Sequence, residues 1–187
     1  MKVRTTGLPG VILIEPEIYS DARGYFLETF QAARYAAAGI AGPFVQDNIS
    51  FSGPRVLRGL HLQHSKAQAK LIFAAEGEIF DVAVDVRSGS PHFGRWTGAR
   101  LSAENGHQLF IPAGFAHGFC VLSEHARVAY KCDTLYDKAA ELSILWNDPD
   151  IGIEWPIQSP VLSPKDAAAP RLRDIDPARL PRYGTAT

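Results

Sequence analysis

At 187 residues, 46% of them apolar and 21% charged, the chain fits one well-cored domain with room for a terminal extension. A formal net charge of −1 argues against a nucleic-acid or membrane-surface binder, so an anionic ligand would have to be caught by a local group of arginines and lysines. The two cysteines, Cys120 and Cys132, lie in apolar runs and read as reduced thiols; with no signal-like N-terminus and no run of about 18 apolar residues, a cytoplasmic protein is expected.

Val11 to Glu15 reads as a short strand between Pro9-Gly10 and Pro16. Ser20-Asp21-Ala22-Arg23-Gly24 is a predicted turn, followed by an aromatic-rich strand from Tyr25 to Phe30. Gln31 to Ala38, rich in alanine and stopped by Gly39, is the clear helix of the N-terminal half. Pro43 to Ser52 is expected to be a strand with Gln46, Asn48 and Ser50 on one face.

The next stretch, Arg55 to Asp85, holds three strands: one through Arg58-Gly59-Leu60-His61, one from Lys70 to Ala75, and one from Ile79 to Val86. Strict alternation in the first puts Leu57, Gly59, His61 and Gln63 on one face, and Arg58, Leu60 and Leu62 on the other, unless a bulge re-aims one of them. Gly94 to Leu101, Gln108 to Ile111, Gly118 to Leu122, Arg127 to Asp133 and Leu142 to Trp146 follow as strands divided by Gly, Pro and Asn turns. Short strands at this spacing indicate an all-β sandwich or barrel. From Asp148 the chain is proline-rich and irregular, with one helical turn expected near Pro164 to Ala168. The reading is a single domain over 1–187, with a barrel core of about 43–146 and a tail of about 147–187.

Polar residues inside strand-like runs are the informative ones. They are Glu28, Gln46, Asn48, Arg58, His61, His64, Lys70, His117 and Tyr130, with Asp166 beyond the strands. Each alone has an ordinary structural explanation: a hydrogen-bonded histidine, a solvated lysine, a core tyrosine with its hydroxyl satisfied. Chemistry follows only if several converge inside one barrel.

The segment Gly106 to His117, GHQLFIPAGFAH, resembles the second motif of cupins, Gly-x5-Pro-x-Gly-x2-His, with Val121 where the motif ends in Asn. Metal-binding cupins also carry a His-x-His pair and a glutamate seven residues before a glycine. His61 and His64 have the wrong spacing for that pair, and Lys70 precedes Gly77 where the carboxylate would stand. An ammonium beside a divalent ion is electrostatically unfavourable. The resemblance implies an all-β cupin-type double-stranded β-helix (jelly-roll barrel) with a short N-terminal helix and an irregular C-terminal tail, and no metal or other cofactor.

More closely, the segments DARGYFLETF, FVQDNISFS, VLRGLHLQ, AQAKL, GEIFDVAVDVR, GSPHFGRW, IPAGFAHGF, LSPKDAAAP and LPRY resemble the dTDP-4-dehydrorhamnose 3,5-epimerase family nearly end to end. That resemblance implies a dTDP-sugar substrate whose C3′ and C5′ protons lie beside a C4′ ketone. It makes His61 the base, Asp166 its paired carboxylate, Lys70 the cation facing the ketone oxygen and Tyr130 the acid on the opposite face. A free imidazole titrates near about 6.5, close to working pH, which suits a base. Arg23, Arg58 and His117 match residues holding diphosphate and sugar. Phe26, Glu28, Gln46, Asp47, Asn48, Glu141 and Lys165 match further substrate contacts, and Tyr136 matches the aromatic stacked on thymine. The family also implies a homodimer whose N-terminal strands pair into the partner's sheet, so that Arg23, Phe26 and Glu28 serve the neighbouring site, with no nucleic-acid or membrane partner. A single-site 3- or 5-epimerase with the same base, acid and lysine is the alternative left open.

Overall fold

The computed structural model describes residues 1–40 and 42–184; the final three residues of the expected tail lie outside the described residues. Thirteen strands account for most of the described regular structure. They are β1 (Lys2–Thr5), β2 (Ile12–Glu15), β3 (Ile18–Asp21), β4 (Gly24–Leu27), β5 (Gln46–Ser52), β6 (Leu57–Gln63) and β7 (Lys70–Glu76) in the first half of the fold. Then come β8 (Glu78–Asp85), β9 (Trp96–Ser102), β10 (Gln108–Ile111), β11 (Phe115–Val121), β12 (Ala126–Cys132) and β13 (Glu141–Ser143). Helix α1 spans Ala32–Ala37 and the helical turn α2 spans Pro164–Ala167.

Two antiparallel sheets face one another, one in the order β1-β2-β10-β7-β12-β5 and the other β13-β6-β11-β8-β9. Ile72, Ala74, Leu109 and Val128 from the first pack against Ile79, Ala83, Phe115 and Phe119 from the second, making the inter-sheet core. This is the expected all-β, cupin-type jelly roll. Each sheet also buries part of its outer face. Tyr35 of α1 covers Ile14, Leu71 and Phe110 on the larger sheet, while Ile151, Leu172, Ile175 and Leu180 of the tail cover Leu60, Leu62, Val82 and Val84 on the smaller. Strands β8 and β11 carry apolar residues on both sides for that reason, whereas the inward side of β6 is polar.

Several bounds shift, β5 starting at Gln46 rather than Pro43, β11 at Phe115 rather than Gly118, and β13 spanning Glu141–Ser143 rather than Leu142–Trp146, and three larger expectations change. KVRT at the N-terminus is strand β1, paired with β2, although its four exposed residues carry no apolar alternation. Strand β3 and strand β4 form a separate hairpin around the predicted turn, and β4 stops at Leu27 rather than Phe30. The third change is in β6. His117 stands opposite His61 and Phe119 opposite Arg58, so two steps on β11 match three on β6. The extra residue is a bulge that brings Arg58 onto the same inward side as His61, where strict alternation had separated them. Glycine is required there: a Cβ on Gly59 would lie 2.7 Å from the Cα of Gly118, and Gly59 has φ +118°.

Candidate active site

At one open end of the sandwich the two sheets bound a cavity of about 230 Å³. Directly opposed residues of antiparallel strands share a face, and here they set the walls in rows. Gln46, Cys132 and Lys70 form one row across β5, β12 and β7, and Asn48, Tyr130 and Ile72 form the next. On the facing sheet His61 and His117 are register partners of β6 and β11. Gln63, further along β6, also lines the cavity and is paired with Glu141 of β13.

His61 and Asp166 are joined by a 2.6 Å contact between Nε2 and Oδ1, across 105 residues of sequence. The tail makes this possible because Val161 is tied to the start of β6: Leu57 N–H donates to Val161 O and Val161 N–H to Arg55 O. Ser163 then caps α2, its Oγ accepting the Asp166 N–H at 3.1 Å, with Pro164 in the first turn. Asp166 is 3% exposed. Burial alone would raise its carboxyl, but the His61 ring, Ser163 and the Gly59 amide outweigh it and hold it below the usual carboxylate range.

A second pair lies deeper. His117 Nε2 is 2.8 Å from Asp81 Oδ2, and both residues are buried. Burial pushes the His117 imidazole down against the opposing pull of Asp81. The other oxygen of Asp81, Oδ1, is buried and has no hydrogen-bond partner among the described residues. Reading the sequence missed Asp81, although a signal was there: it shares the inward face of β8 with Ile79 and Ala83, where a charge needs a partner.

Burial also lowers the Lys70 ammonium, opposed by the nearby Cys132, Asp81 and Glu141. It raises the Tyr130 phenol, with Cys132 acting the same way and Arg58 against it. Arg58 reaches across to β5, donating from Nε to Ser52 Oγ at 2.9 Å and from Nη2 to the Phe51 carbonyl at 3.0 Å. Gln46 Nε2 donates to Asn48 Oδ1 at 2.9 Å, and Asn48 Nδ2 to Cys132 Sγ at 3.8 Å. At the mouth, Lys165 Nζ pairs with Glu141 Oε1 at 2.9 Å, and the Tyr136 hydroxyl donates to Glu141 Oε2 at 3.3 Å.

Thus His61, Lys70, Tyr130, Gln46, Asn48, Tyr136 and Glu141 line one cavity, with Asp166, His117, Arg58 and Lys165 bonded or packed around it. Four other expected residues are not brought there within the chain. The Asp47 side chain alternates outward on β5 and pairs with Lys131 at 3.0 Å. Arg23 is bound to Asp21 in its own turn, Phe26 is 69% exposed, and Glu28 pairs with Arg34. His64, outside the cavity lining, borders a larger surface cavity with Lys66 and Arg87.

Comparison with known proteins matches residues 5–174 to the family described as dTDP-4-dehydrorhamnose 3,5-epimerase. A curated relative of that description from Shigella flexneri is 51% identical over 178 residues, covering 94% of this chain and 98% of the relative. Another, from Neisseria gonorrhoeae, is 52% identical over 169 residues; the match covers 90% of this chain and 52% of that protein, so the chain spans about half its length. Among solved structures, the dTDP-6-deoxy-D-glucose-3,5-epimerase of Legionella pneumophila in complex with dTDP-4-keto-L-rhamnose superimposes with a TM-score of 0.95 at 52% identity, covering 98% of this chain and 99% of that one.

Proposed function

The chain belongs to the dTDP-4-dehydrorhamnose 3,5-epimerase family, and from that premise we propose that it inverts C3′ and C5′ of dTDP-4-dehydro-6-deoxy-D-glucose, giving dTDP-4-dehydro-L-rhamnose for dTDP-L-rhamnose synthesis. Both protons to be moved are α to the C4′ ketone, so loss of either leaves an enolate. His61 takes the proton, and Asp166 fixes the imidazole tautomer and balances the imidazolium once it forms. Lys70 stabilises the oxygen as negative charge develops on it. Tyr130 returns a proton to the other face of the carbon.

The observation that carries this reading is the convergence of His61, Lys70 and Tyr130 on one cavity from opposing sheets. Inversion needs removal on one side and delivery on the other, and β6 and β12 stand on opposite walls. The raised Tyr130 phenol favours a protonated donor, and the lowered Asp166 carboxyl favours an ionised partner for the base. Arg58, His117, Gln46, Asn48, Glu141 and Lys165 supply the polar contacts to substrate, Arg58 being suited to forked contact with phosphate oxygens. Tyr136 packs on the base.

The working assembly is a homodimer with exchanged N-terminal strands. Arg23, Tyr25 and Phe26 are left in solvent by the single chain, and β5 is an open sheet edge whose outer Ile49 and Phe51 are exposed. In the dimer Arg23, Phe26 and Glu28 complete the partner's site. The cytoplasm, with its nucleotide sugars and reduced thiols, suits a chain whose buried Cys120 and Cys132 are both free.

The test is an NMR time course of dTDP-4-dehydro-6-deoxyglucose with the protein in heavy water. Deuterium entering at both C3′ and C5′, with a product accepted by a rhamnose-forming reductase, is the expected result. Label at one carbon alone would reassign the chain as a single-site epimerase, and no label would end the reading.

A further inference from the structure

Residues 133–137, between β12 and the turn before β13, contain no helix or strand, yet they carry Tyr136 to the cavity mouth. Their main chain is bound by three glutamine side chains, all of which line the cavity. Gln68 Nε2 donates to the Thr134 carbonyl at 2.6 Å. Gln63 Nε2 donates to the Leu135 carbonyl at 3.4 Å, and its Oε1 accepts the Asp137 N–H at 2.6 Å. Gln46 Oε1 accepts the Tyr136 N–H at 2.8 Å. Four consecutive residues therefore each have a main-chain group held by a carboxamide.

Gln63 is the centre of this arrangement. It is buried, and its Nε2 also donates to the Lys66 carbonyl at 2.9 Å, tying down the preceding loop as well. Its partners are two carbonyls on one side and an N–H on the other, which only a carboxamide serves at once and which fixes the orientation of its oxygen and nitrogen. It also stands two residues after His61 on the same inward face of β6. One strand face therefore sets both the imidazole and the loop that carries Tyr136. The Tyr136 ring itself is half exposed, and among the described residues its side chain is held by the hydrogen bond from its hydroxyl to Glu141. Its aim over the cavity depends on how the main chain beneath it is held.

We propose that Gln63, assisted by Gln68, is a positioning residue that presets the 134–137 main chain so that Tyr136 projects over the cavity before ligand arrives. The role rests on the reading above in which Tyr136 packs on the nucleotide base. A loop ordered in advance spares the ligand the entropic cost of ordering it.

The experiment compares dTDP binding and steady-state kinetics for the full chain with Gln63→Leu, Gln68→Leu, Tyr136→Ala and the Gln63→Leu/Tyr136→Ala double variant. Gln63→Leu should weaken dTDP about tenfold and Gln68→Leu about threefold, in line with three lost hydrogen bonds against one. KM should rise far more than kcat falls, and the Tyr136 and Asp137 amides should exchange hydrogen faster. In the Tyr136→Ala background, Gln63→Leu should add almost nothing. Unchanged affinity in Gln63→Leu, or an equal loss with and without Tyr136, overturns the role. If Gln63→Leu does not fold, Gln68→Leu, at a less buried site, carries the same test. Failure of the unaltered chain to bind dTDP would instead strike the proposed function, while amide exchange in the loop would still judge the clamp.

Discussion

In the barrel interior, His61, Lys70 and Tyr130 come from strands of two sheets and are joined by Asp166 from the distant tail, whereas in the β3–β4 hairpin Arg23 pairs with Asp21 of its own turn and Phe26 stands in solvent. Both regions carry expected substrate contacts. In the interior, burial is the leading influence on Lys70, Tyr130, His117 and Asp166. Burying so many polar groups is costly unless they are paired or used. The hairpin has made no such commitment. Its aromatics remain where folding of one chain leaves them, and in the proposed dimer another copy would cover them. On the proposed function, the catalytic groups are assembled by intramolecular folding and the hairpin contacts by association.

That contrast can be broken in several places. His61→Ala should cost most, up to about 10⁴-fold in kcat, abolishing both product and solvent exchange while dTDP still binds. Retained exchange would remove His61 as the base. Lys70→Ala should lower kcat by about 10² or more with a much smaller change in KM, as for other groups facing a developing oxyanion. A purely KM effect would make Lys70 a binding residue. Tyr130→Phe should still wash deuterium into substrate, because the base remains, but should fail to invert normally. If exchange disappears as completely as in His61→Ala, the division into base and acid is wrong.

Smaller effects test the other half of the comparison. Mixing inactive Arg23→Ala chains with inactive His61→Ala chains should restore about a quarter of normal activity, since half the dimers are mixed and each has one intact site. No recovery under conditions where subunits exchange would confine the hairpin to its own chain. Activity should also depend on pH through Lys70. The Lys70 ammonium is lowered by burial, so it loses its proton as pH rises through a value below the ordinary lysine range of about 10.4. Activity that needs the cation should fall on the alkaline side at that lower pH, and a Lys70→Arg enzyme that retains turnover should lose this limb. An identical limb in that variant would assign it elsewhere.

Much of the architecture is legible in the amino-acid sequence, because a strand's two-residue period and its glycine and proline boundaries are local properties. The strands from Lys70 onward, the short alanine-rich helix and the helical turn at Pro164 follow from them. His61, Lys70, Tyr130 and Asp166 could be nominated from motif residues as well. What stays illegible depends on which strands meet and in which register. Alternation can mark Asp81 as an inward charge in need of a partner, but only strand register shows that partner to be His117, and the bulge opposite Gly118 turns Arg58 inward against simple alternation. Gln63 reads as one more polar residue on a strand until residues some 70 positions away, Leu135 and Asp137, fold onto its amide. Periodicity assigns each side chain to a face, but a face becomes a site only when the opposite wall is in place. That wall is chosen by long-range packing, which no local pattern encodes.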